Sequence, residues 1–154
     1  MTCATLIKEL AAELRDAFEH VRLPTEYMRK AAPENFVEVN VFEGYLPENL
    51  FEQTSYYPCV AIELLKVVDD LKEHSTADLG LTIGTFSLEE DAWLDAFHLM
   101  ELIRQRLLTR RVIGKKFRLK ELSFETPSEQ PREFFFIIGA ATFEVFQSQE
   151  RLSC

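Results

Sequence analysis

Residues 79–108 read LGLTIGTFSLEEDAWLDAFHLMELIRQRLL. Leu79, Leu81, Ile83 and Thr85 alternate with Gly80, Thr82 and Gly84, the period-two pattern of a strand with one face buried. After Phe86 the period changes. Ser87 can cap a helix with Glu90 three residues on, and Glu89, Glu90 and Asp91 put negative charge where a helix dipole begins. Trp93, Ala96, Phe97, Met100, Ile103, Leu107 and Leu108 then share one stripe at a spacing of about 3.6 residues, widened by Leu99 and Leu102. Such a stripe must lie on a sheet or on another helix. A strand feeding a long amphipathic helix is therefore the hub of the predicted fold.

Working outward, Leu6, Ile7, Leu10, Leu14, Ala17, Phe18 and Val21 predict a first helix over Thr5 to Val21, closed by Pro24. Thr25 to Asn35 reads as a connector. Phe36 to Phe42 alternates as a strand. Gly44 to Pro58 is a long loop rich in aromatics, and Val60, Ile62 and Leu64 restart the strand pattern. Asp69 to Asp78 predicts a charged turn, so these two strands form a hairpin. Beyond the hub helix, Phe117 and Leu119 alternate before Leu122 and Phe124 shift the phase, which a bulge near Glu121 explains. Glu125 to Glu133 reads as a mobile acidic turn. Phe134 to Phe146 is apolar on both faces, as in a central strand or an edge covered by another chain. From Gln147 onward the pattern is that of a frayed tail.

The predicted class is α+β, with two helices packed on one face of a mostly antiparallel or mixed sheet of about five strands, in a single domain over residues 1–154. No run approaches the roughly 20 apolar residues that span a bilayer, and Lys8, Glu9, Glu13 and Arg15 interrupt any secretory signal, so a cytoplasmic protein without membrane contact is expected. Cys3, Cys59 and Cys154 have no metal or redox spacing and read as free thiols, with Cys59 buried at the start of a strand.

The formal charge is −9, which opposes general binding to phosphate backbones. Its distribution is uneven. Arg104, Arg106, Arg110, Arg111, Lys115, Lys116, Arg118 and Lys120 form a run without an acid, and the other nine basic residues face all 26 acids. Half of that run is accounted for by a helix C-terminus and a strand's solvent face. The remainder makes a positive patch that can meet the acidic surface of a neighbouring copy, and such head-to-tail contacts close into rings when the rotation allows. His20, His74 and His98 lack ligand spacing, and no nucleophile elbow, P-loop or dinucleotide fingerprint occurs. Neither a catalytic group, a metal nor a cofactor is expected.

The succession YPCVAIEL, then DLGLTIGTFSLEEDAWLDAFHLMELIRQRLL, then FRLKELSFETPSEQPREFFFIIGAATFEV resembles the small tail terminator and tail completion proteins of long-tailed bacteriophages and prophages. The matching segments are Leu81 to Gly84, Leu94 to Leu108, Phe117 to Pro131 and Phe134 to Val145, within a resemblance that covers residues 37–145. It implies a non-enzymatic virion protein, assembled in the bacterial host cytoplasm and resident in the virion tail. The partners implied are further copies of itself in a ring, commonly hexameric, the tail-tube protein, and the head-tail connector. Direct sequence-specific nucleic acid binding is not implied. The surfaces expected to carry assembly are the loop with Tyr45, Phe51, Tyr56 and Tyr57, the basic residues Arg110, Arg111, Lys115, Lys116 and Arg118, and the turn with Glu129 and Arg132. Two other readings stay open: a different junction or baseplate component of similar fold, and a small bacterial enzyme or ligand-binding module using a pocket beside Trp93.

Overall fold

The computed structural model describes residues 3–32, 36–70 and 75–145. Its elements run in the order α1 (Cys3–Ala17), α2 (Glu26–Ala31), β1 (Asn40–Glu43), β2 (Cys59–Asp69), β3 (Ser75–Phe86), α3 (Ala92–Thr109), β4 (Val112–Ile113), β5 (Phe117–Glu125) and β6 (Phe134–Val145). Six strands form one mixed sheet in the order β1-β2-β3-β6-β5-β4. The α+β class is as expected, with one short helix and one two-residue strand added.

The hub strand sits at the centre. β3 is paired along its whole length with β6 on one side and over Ser75 to Gly84 with β2 on the other, both antiparallel. Ala77, Leu79, Leu81 and Ile83 all face the helices and are fully or almost fully buried. On β6 the same face carries Ile137, Ala141, Phe143 and Val145, so the aliphatic alternation of two adjacent strands builds one continuous floor. Leu6, Leu10 and Leu14 of α1 and Ala96, Leu99, Ile103 and Leu107 of α3 close over it. The phase shift read from Leu119 to Leu122 is a true bulge, at which the β5–β6 register slips between Leu119 and Glu121.

Several boundaries differ, each for a local reason. The hub helix begins at Ala92 rather than after Ser87, and the Ser87–Glu90 capping box does not form. Ser87 is buried; its hydroxyl donates to Asp91 Oδ1 and accepts the Glu89 N–H at 3.2 Å, while Glu90 turns through φ 60°. These bonds stabilise a turn instead of a helical first turn. The stripe is also rotated. Trp93, Phe97 and Leu108 remain 39–44 % exposed, whereas Ala92, Asp95, Ala96, Leu99, Ile103 and Leu107 face inward.

The first helix ends at Ala17, and the connector holds α2, whose start is capped by the Thr25 hydroxyl accepting from the Met28 N–H. The strand expected over Phe36 to Phe42 reduces to β1, which runs parallel to β2. The charged turn expected over Asp69 to Asp78 is shorter, because β2 and β3 pair out to Asp69 and Ser75. The tail from Gln147, with Phe146 and Cys154, and His74 lie outside the described residues.

A second, smaller cluster lies on the opposite face of the sheet. Tyr57 and Cys59 pack with Phe86, Phe134 and Phe136, and Phe51 lays its ring edge-on against Phe134 and Phe136 at 5.4 and 6.0 Å. Gly84 permits this. A Cβ there would come within 2.9 Å of the Tyr57 ring and 3.0 Å of the Phe136 ring.

Candidate functional site

Three surfaces were expected to carry assembly, and the structure separates the side chains within each that hold the fold from those left at the surface. In the loop over residues 44–58, Tyr57 is buried and donates its hydroxyl to the Leu50 carbonyl at 2.8 Å. Burial raises the Tyr57 phenol well above its usual value. Tyr56 meets Phe42 edge-on, and the Ser55 and Tyr56 carbonyls accept from the Asn40 amide. Phe51 keeps more than half its surface exposed while touching the second cluster, and Tyr45 is 73 % exposed. The loop is therefore a cover for the back of the sheet, with Tyr45 and one side of Phe51 outward.

The basic run divides in the same way. Arg106 reaches Asp16 at 2.7 Å and Glu13 at 3.3 Å, and Arg110 reaches Glu13 at 3.3 Å, so two of these cations clamp α3 onto α1. The Arg106 guanidinium holds the Asp16 carboxyl below the usual carboxylate range. Arg104 pairs with Glu101 one turn away, and Lys120 with Glu144 on the neighbouring strand. Arg111, Lys115, Lys116 and Arg118 are exposed and have no ion pair among the described residues. With the exposed side chain of Val112 they form one patch around β4 and the turn into β5.

The turn from Glu125 to Glu133 is braced, which the sequence did not suggest. The Gln130 amide donates to the carbonyls of Pro127 and Phe136, and its oxygen accepts the Phe136 N–H at 2.8 Å. Arg132 pairs with Glu90 at 3.1 Å, both largely exposed, and Glu129 points to solvent.

A shallow groove of about 220 Å³ does lie beside Trp93, lined by Ala92, Gln130, Arg132, Phe134 and Phe135. Ligand pockets commonly run about 300–1,000 Å³ with several convergent polar groups. Here Gln130 is engaged with the backbone, and Arg132 and Glu90 engage each other. Trp93, Phe97 and Phe135 form an aromatic ladder next to it, with centroids 5.7 and 5.9 Å apart. Among the described residues, no group of three or more His, Cys, Asp or Glu side chains is placed to hold a metal ion, and no helix is long and apolar enough to cross a membrane.

Two titratable groups that sequence spacing passed over, or treated only as packing, are decisive locally. Asp95 is buried on the core side of α3, where Oδ1 accepts the Thr25 N–H at 3.0 Å and Oδ2 accepts the Thr25 hydroxyl at 2.7 Å. Its signal was an acid standing three residues from Ala92 and four from Leu99, on the apolar stripe itself. Cys59 opens β2 and is buried as expected, and burial pushes its thiol up to about 12. Because the thiolate is the reactive form, Cys59 should resist alkylation at pH 8 in the native protein and react only in denaturant; rapid native labelling, read by peptide mass spectrometry, would contradict this burial.

No protein-family model matches the chain, and no curated protein matches it significantly. The class that the fold defines is α+β: two long helices over one face of a six-stranded mixed sheet, with loop aromatics packed on part of the back face.

Proposed function

We propose that this chain is a virion assembly protein of a phage or prophage, a tail terminator or tail completion protein that docks as a ring at the head-proximal end of the tail tube. Such a ring would cover the growing edge of the tube and offer its other side to the head connector. The observation that carries the reading is the exposed patch of Arg111, Lys115, Lys116 and Arg118, which form no ion pair among the described residues, on a chain of net charge −9. Four cations that form no ion pair among the described residues, Arg111 donating only to the Leu108 carbonyl, fit a surface that meets acids of another copy. The order of hub strand, long helix, strand with a proline-containing turn and aromatic strand is also the order carried by the resemblance. Arg110 takes no part in the patch, since it clamps the helices together.

Native mass spectrometry across a concentration and magnesium series, with negative-stain images, tests the reading. Closed rings are expected, and a monomer at every concentration would overturn self-assembly. Lys116→Glu with Arg118→Glu should shift ring formation to about tenfold higher concentration, the sum of several exposed contacts each worth under about 1 kcal/mol. The wild-type ring should also loosen with added salt. An unchanged association midpoint would remove the patch from the interface.

A further inference from the structure

We infer that copies of this chain join through their sheets, the open stretch of β2 in one copy pairing antiparallel with the open stretch of β5 in the next. This rests on the ring reading above and specifies the contact.

Both edges of the sheet are stepped. β1 covers the outer side of β2 only over Cys59 to Ile62, so Glu63 to Asp69 has no strand partner there among the described residues. Along it Leu64, Leu65, Val67 and Val68 are 42–61 % exposed. An apolar, unpaired edge of that length is a template for another strand. At the far side β4 covers β5 only at Phe117 and Arg118, with one more bond from the Leu119 N–H to the Arg111 carbonyl. Lys120 to Glu125 has no strand partner on that side among the described residues. The two open stretches are therefore six residues and seven, and each includes the extra residue of an irregularity, Lys120 in the six and Leu65 in the seven.

Directions and backbone groups agree. β2 is antiparallel to β3, β3 to β6 and β6 to β5, so a neighbour's β2 laid beside β5 in the same sheet runs antiparallel to it. The Ile62 carbonyl accepts the Gly44 N–H on the outer side, and Ile62 faces Leu81; Val67 faces Ala77, an even number of positions along β3, so its N–H and C=O also point outward. The Leu119 N–H points outward and Leu119 faces Phe143. Leu122 faces Ala141, two positions along β6, so its polar groups point outward as well.

Setting Val67 opposite Leu122 makes a hydrogen-bonded pair and keeps both side chains on the helix-covered face. It also sets Val68 opposite Glu121 and Asp69 opposite Lys120. Against the level of the intact sheet the neighbour is displaced by two ladder positions, which clears β1 at one end and β4 at the other. A stagger of this kind is what a sheet needs in order to tilt its strands and close on itself.

Cysteines at Val68 and Glu121 would form a directly opposed, non-hydrogen-bonded pair with Cα atoms about 4.5 Å apart, within the roughly 4.4–6.8 Å range of disulfides. Both sites are exposed, so folding should be untouched. In a Cys3→Ser, Cys154→Ser background, the Val68→Cys, Glu121→Cys double variant should give a ladder of covalent multimers under mild oxidation, and a mixture of the two single variants only mixed dimers. Val67→Pro, which removes one outward N–H, should abolish rings with the circular dichroism spectrum unchanged. Rings that form without the crosslink, or a crosslink in Val68→Cys alone, overturn the edge pairing and leave the ring reading standing. Absence of both rings and crosslinks overturns the two together.

Discussion

Phe143→Ala should lower the free energy of unfolding by about 3–5 kcal/mol, a large share of the roughly 5–15 kcal/mol available to a domain of this size. Phe143 is fully buried on β6, one of the two central strands, and stands beside Ala77 of β3 and Leu119 of β5 on the floor beneath the helices. Truncation there removes the ring's transfer energy and leaves a cavity that two paired strands cannot collapse to fill. Ile138→Ala on the opposite face of the same strand is the control. Ile138 is 44 % exposed, and its loss should stay within about 0.5 kcal/mol. Urea titrations of both variants, with the slope compared to wild type, decide it. A loss below about 1 kcal/mol at Phe143 would mean that the floor repacks and that β6 is not the rigid centre described above.

That floor was the most legible part of the chain. Leu79, Leu81 and Ile83 alternate cleanly, the aromatic β6 is long and unbroken, and the phase shift at Glu121 marked a bulge that the register confirms. Of the two readings that apolar residues on both faces of β6 leave open, a central strand or an edge covered by another chain, the pairing with β3 and β5 selects the first; Phe134 and Phe136 meet the loop aromatics while Ile137 and Phe143 meet the helices. β4 was illegible for the opposite reason. Two residues carry no period, and their pairing with Phe117 and Arg118 depends on where α3 delivers the chain. β1 failed similarly: Val37 and Val39 alternate and are buried, yet their backbones do not extend the ladder, which begins at Asn40 beside Cys59.

The rotation of the α3 stripe shows a limit of periodicity. Trp93, Phe97 and Leu108 lie on one flank of the helix and Ala92, Ala96, Leu99, Ile103 and Leu107 on an adjacent one, and both are apolar. The larger side chains drew the stripe toward the wrong flank. What selects the right one is close approach to the sheet, which favours Ala92 and Ala96 near the helix start, and the pairing of Asp95 with Thr25 seventy residues away. The basic run was legible as a composition but not as a surface. Glu13 and Asp16 take Arg106 and Arg110 across ninety or more positions of sequence, and no local spacing signals such a partner. The cations left over, Arg111, Lys115, Lys116 and Arg118, form no ion pair among the described residues, although Glu144 stands opposite Arg118 on β6 and Glu9 lies against Gly114.

Asp95→Ala should destabilise the chain by about 2–4 kcal/mol, because two hydrogen bonds to a buried carboxyl are lost and the Thr25 N–H and hydroxyl are left as buried donors. The effect should spread to α2. The Thr25 hydroxyl accepts from the Met28 N–H at the start of that helix, and Asp95 fixes the hydroxyl's orientation by accepting the hydrogen bond that its O–H donates. Amide exchange at Met28 should therefore accelerate in the variant beyond what the global loss predicts. Asp95→Asn, which keeps one acceptor, separates geometry from charge. Burial outweighs the Thr25 bonds and raises the Asp95 carboxyl above its ordinary 3.8, so the folded chain holds that proton more tightly than the unfolded chain. The contribution is then complete below the ordinary value and is lost as pH rises through the raised native one. The stability advantage of wild type over Asp95→Asn should shrink as urea titrations move from pH 4 to pH 7. An advantage that grows with pH would mean instead that the two Thr25 bonds hold the ionised carboxylate more strongly than burial opposes it, and that Asp95 joins α3 to the connector as a charged latch.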